Sequence, residues 1–226
     1  MTETGINLDF DRKQRLGFDE AMFCAGKTVG QIAAILGRVA ERQGNMLLTR
    51  LAAEIFAELP SDLRQRLDYE ALSDTAYFGH VDPPTQIGRV AVVGAGTSDM
   101  RVCREAVRTL GYHGIKASEV YDVGVAGLWR LLERVPEIAR HPVVIAVAGM
   151  DAALISVLGG LVPGLVIGVP TSVGYGVANR GETALHAALA SCAPGVPVVN
   201  IDNGYGAACA AIRMLRAVEA ARRLES

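Results

Sequence analysis

From Arg89 onward the chain repeats one pattern: a short, almost wholly apolar run, a turn rich in Gly, Ser, Thr, Asp or Asn, then an Ala- and Leu-rich stretch long enough for a helix. No other feature limits the possible folds as strongly. Strands that are apolar on both faces need helices covering both sides, which is the setting of parallel strands joined by helical crossovers. The pattern predicts strands over 90–93, 115–121, 143–147, 166–169 and 198–201, alternating with helices over 99–110, 125–135, 151–159, 181–190 and 207–223. The expected fold class is α/β, a parallel sheet flanked by helices.

Residues 1–85 have a different texture, with charges mixed densely among apolar residues. Helical spacing over 29–42, where Ile32, Ile35, Leu36 and Val39 share one face, and again over 52–67 predicts a small, mostly helical N-terminal domain. Pro83-Pro84 closes this region as a stiff, extended segment. The expected domains are therefore 1–85 and 86–226. Five strands alternating with five helices suggest a flavodoxin-like or Rossmann-like open sheet in the second.

Half of the 226 residues are hydrophobic and a fifth are charged, enough to build a sizeable core. The formal net charge of −2 gives no reason to expect nucleic acid or an anionic membrane as partner. The longest apolar run, 154–169, is broken by Ser156, Pro163 and four glycines, so no membrane span is expected. Glu3, Asp9 and Asp11 near the start, with no apolar core between them, do not read as a signal peptide, and a cytoplasmic location is the expectation. Cys24, Cys103, Cys192 and Cys209 form no CxxC pair and have no histidine at metal-ligand spacing. If a cysteine matters here, it acts as a single thiol.

In open parallel sheets ligands gather beyond the carboxyl ends of the strands. The loops to search are thus 94–99, 122–124, 148–151, 170–176 and 202–206. Each also has an ordinary reading as turn and cap chemistry, because Gly tolerates positive φ and Asp or Ser caps the next helix. The first loop, Gly94-Ala-Gly-Thr-Ser-Asp99, begins like a dinucleotide fingerprint. That motif needs a small residue at its sixth position, where helix packs on strand, and Asp99 stands there instead. What remains is a flexible Gly96, the hydroxyls of Thr97 and Ser98, and a carboxylate at a helix start, suited to a phosphate or ribose.

Gly96-Thr-Ser-Asp99, Ile145-Ala-Val-Ala-Gly-Met-Asp151 and Val166-Ile-Gly-Val-Pro-Thr-Ser172, followed by a last strand and an Ala-rich helix, resemble the PurE fold of aminoimidazole ribonucleotide carboxylases over about residues 88–216. PurE enzymes use a histidine in the loop after the second strand and another after the third. This chain has Asp122-Val-Gly-Val125 and Ala152-Ala-Leu154 there, without a histidine. His80, His113, His141 and His186 match no catalytic position.

A resemblance to the LarB family covers nearly the whole chain. It rests on Asp9-Phe-Asp-Arg-Lys-Gln-Arg-Leu-Gly-Phe-Asp-Glu20, Gly26-Lys-Thr28, Ser191-Cys-Ala-Pro-Gly195 and Asn200-Ile-Asp-Asn-Gly-Tyr-Gly206. Two positions depart from the family pattern: Cys24 replaces an expected Gly, and Asp151 stands where Glu is more usual. The resemblance implies the first step of nickel-pincer nucleotide synthesis. Nicotinic acid adenine dinucleotide is carboxylated at carbon 5 of its pyridinium ring by carbon dioxide. Water then cleaves its phosphoanhydride, giving pyridinium-3,5-biscarboxylate mononucleotide and AMP.

Under that resemblance Cys192 is the thiolate that adds to the ring, and Asp151 the base that removes the carbon 5 proton. By residue type alone, Cys192 also suits a small buried position and Asp151 a helix cap. Gly96, Thr97, Ser98, Asp99 and the loop residues Thr171, Ser172, Gly174, Tyr175 and Gly176 are the candidate substrate contacts, with Asp202 and Asn203 beside them. Arg12, Arg15 and Lys27 are candidates to close over the phosphates, and each equally suits a solvated helix face. The resemblance further implies a homo-octamer and no tightly bound cofactor; magnesium is the one metal candidate, for the hydrolysis.

Overall fold

A computed structural model describes residues 7–224; Glu3 lies outside them. The chain divides between Asp82 and Pro83 into two compact units.

The first unit contains α1 (Arg12–Leu16), β1 (Ala21–Phe23), α2 (Val29–Glu41), β2 (Met46–Thr49), α3 (Ala53–Glu58), α4 (Ser61–Arg64), β3 (Leu67–Glu70) and β4 (Thr75–Phe78). Helix α2 follows the expected spacing: Ile32, Ile35, Leu36 and Val39 are its buried face. A capping box starts it, with Thr28 Oγ1 accepting from Gln31 N at 3.2 Å and Gln31 Oε1 accepting from Thr28 N at 2.9 Å. The expected helix over 52–67 is three elements. Leu59 precedes Pro60 and is extended, which ends α3, and Leu67 already belongs to β3.

The helical reading of this unit was also incomplete, because four short strands form a mixed sheet in the order β1-β2-β4-β3. Strands β1 and β2 are parallel and the other pairs antiparallel. Strands of three or four residues are too short to leave a readable alternation. Cys24 is buried in the core with Ile32, Leu48 and Phe78, so the residue that departs from the family pattern fills apolar space.

The second unit alternates as the sequence predicts: β5 (Gln86–Gly94), α5 (Met100–Tyr112), β6 (Ile115–Val120), α6 (Leu128–Ile138), β7 (Val143–Ala148), α7 (Ala153–Leu161), β8 (Leu165–Pro170), α8 (Glu182–Leu189) and α9 (Gly204–Leu224). The sheet is parallel, in the order β6-β5-β7-β8. All six residues of β7 are buried, as expected of a strand between two covered faces.

The expected fifth strand is reduced to one bridge between Gly168 and Val198, held by Gly168 N to Pro197 O (2.9 Å) and Val199 N to Gly168 O (3.0 Å). Pro197 has no N–H for a ladder. Beyond the bridge the pairing is irregular: Asn200 Oδ1 accepts from Ile201 N, Asp202 is at φ +56°, and Asp202 N donates to Pro170 O at 2.9 Å. Among the described residues no helix is long and apolar enough to cross a membrane. No disulfide joins the four cysteines.

Candidate functional site

The loops after β5, β6, β7 and β8 enclose a cavity of about 270 Å³ at the carboxyl edge of the second unit's sheet. Gly96, Ser98 and Asp99 line it from the first loop, Gly124 and Val125 from the second, Met150 and Asp151 from the third, and Val173 from the fourth. Most of its surface is apolar. Among the described residues lining it, the charged side chains are Asp99 and Asp151, with no Lys, Arg or His.

Asp99 is buried, and its carboxylate ties three loops together. Oδ1 accepts from Thr171 Oγ1 at 2.6 Å and Oδ2 from Gly96 N at 2.9 Å, and the backbone of Gly149 donates to the same carboxylate. Burial pushes the Asp99 carboxyl above its usual range, and these hydrogen bonds oppose the shift. Asp151 is exposed at the cavity, and its Oδ1 accepts from the N–H of Ala153, the first residue of α7, at 3.2 Å, while Ala152 holds the N-cap position. The residues on either side of it, Met150 (φ +56°) and Ala152 (φ +50°), are both left-handed. Non-glycine residues hold that conformation only when their surroundings enforce it.

The sequence candidates separate into groups. Gly96, Ser98, Asp99 and Asp151 meet at the cavity. Thr97 opens the 3₁₀ turn that carries Ser98 and Asp99. Thr171 is fully buried behind Asp99. Ser172 N donates to Asp202 Oδ1 at 2.8 Å, which ties the loop after β8 to the turn before α9. Asn203 Oδ1 accepts from Gly206 N at 2.7 Å, a helix-cap contact. Gly174 packs against Ala178, and Tyr175 and Gly176 are exposed, with Tyr175 at 78 %.

Cys192 is exposed and does not line the cavity. Its segment is fastened to α7: Ser191 Oγ lies 2.7 Å from Ser156 Oγ and accepts from Ala193 N at 3.1 Å. Gly159 gives the chain room there, since a Cβ on it would sit 2.7 Å from Ala193 Cβ. Ser156 is five residues past Asp151 in sequence, roughly 7 Å along a helix at 1.5 Å per residue. The bridge at Val198 runs parallel to β8, and the segment before it packs along α7, with Ala193 and Val196 beside Gly159.

In the N-terminal unit Arg15 pairs with Asp9 through both guanidinium nitrogens, and Lys27 Nζ donates to Phe23 O at 2.7 Å. The Arg12 guanidinium lies 5.8 Å from the Phe18 ring centre, and its buried Nε has no hydrogen-bond partner among the described residues. A second cavity, of about 220 Å³, lies in this unit beside Asp9, Lys13, Asp19 and Glu20. Lys13 pairs with Asp19, Glu20 accepts from the backbone of Asp9, and the Asp9 carboxylate is taken up by Arg15.

Met150 and Val173 are cavity walls that the sequence did not single out; their places directly after Gly149 and Ser172 in carboxyl-edge loops were the available signal. None of the four histidines lines the cavity, and His141 is buried, bonded to Ser118 Oγ and Ile138 O. Among the described residues no group of three His, Cys, Asp or Glu side chains is arranged to hold a metal ion.

A parallel sheet with its cavity at the carboxyl edge, walled by these loops, makes the second unit an open α/β domain with its site in the usual place for that class. The AIR carboxylase family model matches residues 89–225, and a LarB/PurE-like N-terminal domain model matches residues 3–80. The chain belongs to the LarB family, a PurE-related family of carboxylase type, with a PurE-like C-terminal domain.

It is 36 % identical over 214 residues to the uncharacterized protein MJ0165 of Methanocaldococcus jannaschii, covering 91 % of this chain and 82 % of that one. Crystal structures of Treponema denticola PurE and a PurE variant align with 62 % of this chain and 96 % of theirs, at 16 % and 18 % identity and a TM-score of 0.44. A likeness at that level carries no weight here.

Proposed function

We propose that the protein carboxylates nicotinic acid adenine dinucleotide at carbon 5 of the pyridinium ring and hydrolyses its phosphoanhydride, releasing pyridinium-3,5-biscarboxylate mononucleotide and AMP. The observation that carries this reading is the joining of a LarB-type N-terminal domain to an AIR carboxylase domain whose cavity presents carboxylates and no histidine. A cationic ring suits a largely apolar cavity whose charged groups are Asp99 and Asp151.

A pyridinium ring is too electron-poor to attack carbon dioxide. Addition of the Cys192 thiolate to carbon 4 converts it to an enamine whose carbon 5 is nucleophilic. Carbon 5 then forms the new bond to carbon dioxide. Asp151 takes the proton from carbon 5 as the electron pair of that C–H bond restores the aromatic ring and the thiolate leaves carbon 4. Water finally attacks the phosphoanhydride, and AMP departs with its phosphate.

Cys192 lies outside the cavity of its own chain. In this reading the thiol that acts in each cavity comes from a neighbouring subunit of a homo-octamer. The second reading, carboxylation of aminoimidazole ribonucleotide, is favoured by the AIR carboxylase match and opposed by the absence of histidine among the described lining residues.

One assay separates the readings. The protein is incubated with ¹³C-bicarbonate, carbonic anhydrase and either nucleotide, and products are read by mass spectrometry. Labelled dicarboxylated mononucleotide with AMP supports the proposal. Label in the imidazole product alone supports the second reading, and binding without turnover leaves a non-catalytic nucleotide-binding module.

A further inference from the structure

We infer that the buried Asp99–Thr171 pair is a latch that holds the Asp151 turn in its strained conformation, so that Thr171 acts on turnover by positioning Asp151. This deepens the reading above, since it takes Asp151 as the proton acceptor. The sequence placed both residues among the substrate contacts; Asp99 lines the cavity, and its bond to Thr171 gives the pair a further task.

Thr171 is wholly buried and Asp99 is 3 % exposed. Their side chains are committed to each other, and the Asp99 carboxylate also accepts from the backbones of Gly96 and Gly149. Gly149 opens the Asp151 turn. It is pressed against Thr171 Oγ1 and Val173 O so closely that a Cβ would collide with both.

The next residues are stitched to the same loop. Met150 N donates to Val173 O at 2.8 Å, Thr171 N to Ala148 O at 2.9 Å, and Ala152 N closes the turn on Gly149 O at 2.8 Å. Left-handed Met150 and Ala152 would relax towards ordinary conformations without such restraint. The latch therefore holds Asp151 beside the cavity with Oδ1 on Ala153 N and leaves Oδ2 with no recorded hydrogen bond, available for a proton.

The test uses the full-length protein with Thr171→Val, Thr171→Ser, Asp99→Asn and the double variant Thr171→Val/Asp99→Asn. A latch predicts that Thr171→Val lowers kcat about tenfold or more with KM for the dinucleotide changed less than about twofold. The hydroxyl of Thr171→Ser should restore kcat, and the double variant should lose little more than either single one. Hydrogen exchange at the amides of residues 149–153 should quicken in Thr171→Val and Asp99→Asn whether or not the assay shows turnover.

A raised KM with kcat intact would make these residues substrate contacts, and unchanged exchange at 149–153 would remove the latch. Absence of turnover in the wild type together with faster exchange in the variants would sink the reaction and leave the latch. If Asp99→Asn does not fold, the Thr171 pair decides alone.

Discussion

Ser156 Oγ and Ser191 Oγ lie 2.7 Å apart, joining α7 to the residue before Cys192. This hydroxyl pair ties the segment of the one exposed cysteine to the helix whose first N–H donates to Asp151. Ser156→Ala is expected to cost about 1 kcal/mol, the net worth of one hydrogen bond. The same substitution should lower turnover by freeing the Cys192 segment. Urea unfolding and turnover of the variant measure both, and an unchanged midpoint with unchanged rate would show that the pair fixes nothing.

The cysteines should differ in reactivity. Burial pushes the Cys24 thiol up to about 12 and raises that of Cys103 as well, so neither supplies thiolate near neutral pH. Cys192 is exposed. Peptide mapping after brief iodoacetamide treatment should find the label first on Cys192 and on Cys24 and Cys103 only after unfolding. Nicotinic acid adenine dinucleotide should slow labelling of Cys192. Early labelling of Cys24 would contradict the burial.

Asp99 makes stability depend on pH with a definite sign. Burial raises its folded-state carboxyl above the unfolded value, so in the interval between them the folded chain binds more protons. Its contribution is present in full below the unfolded value and is lost as pH rises through the folded one. Lowering pH from 7 towards 4 should therefore stabilise the wild type relative to Asp99→Asn. Urea midpoints of the two proteins across that range test this, and a difference that shrinks towards acid would show the opposite sign.

The proposed assembly of each site from two subunits has its own signature. Cys192→Ala and Asp151→Asn should each be inactive alone. Co-expressed, they form mixed oligomers in which some cavities pair an intact Asp151 with a neighbour's intact Cys192, and activity should return. Mixed oligomers that stay inactive would place both groups in the same chain's site.

The second unit was legible because buried parallel strands and Ala-rich helices write their periods directly into the sequence, as 143–147 and 207–223 did for β7 and α9. Where a local rule competed, the reading slipped. Pro60 divided a helix, Pro197 reduced a strand to a bridge, and the short strands of the first unit gave no period to read.

At the candidate site the sequence identified the loops but not the direction of each side chain. Asp99 lines the cavity as its residue type suggests, but its bond to wholly buried Thr171 is a tertiary contact that residue type does not announce. Asp151 reaches the cavity, while Cys192, named beside it from the family motif, lies elsewhere on its own chain. No one-dimensional pattern records that separation.

The most direct measurement of the central claim follows ¹³C-bicarbonate and AMP together, in the wild type and in Cys192→Ala, with nicotinic acid adenine dinucleotide as substrate. The account predicts one labelled dicarboxylated mononucleotide for each AMP released by the wild type, and no label incorporated by the variant. AMP release without label would make the protein a hydrolase only, and label incorporated equally by Cys192→Ala would contradict the thiolate mechanism.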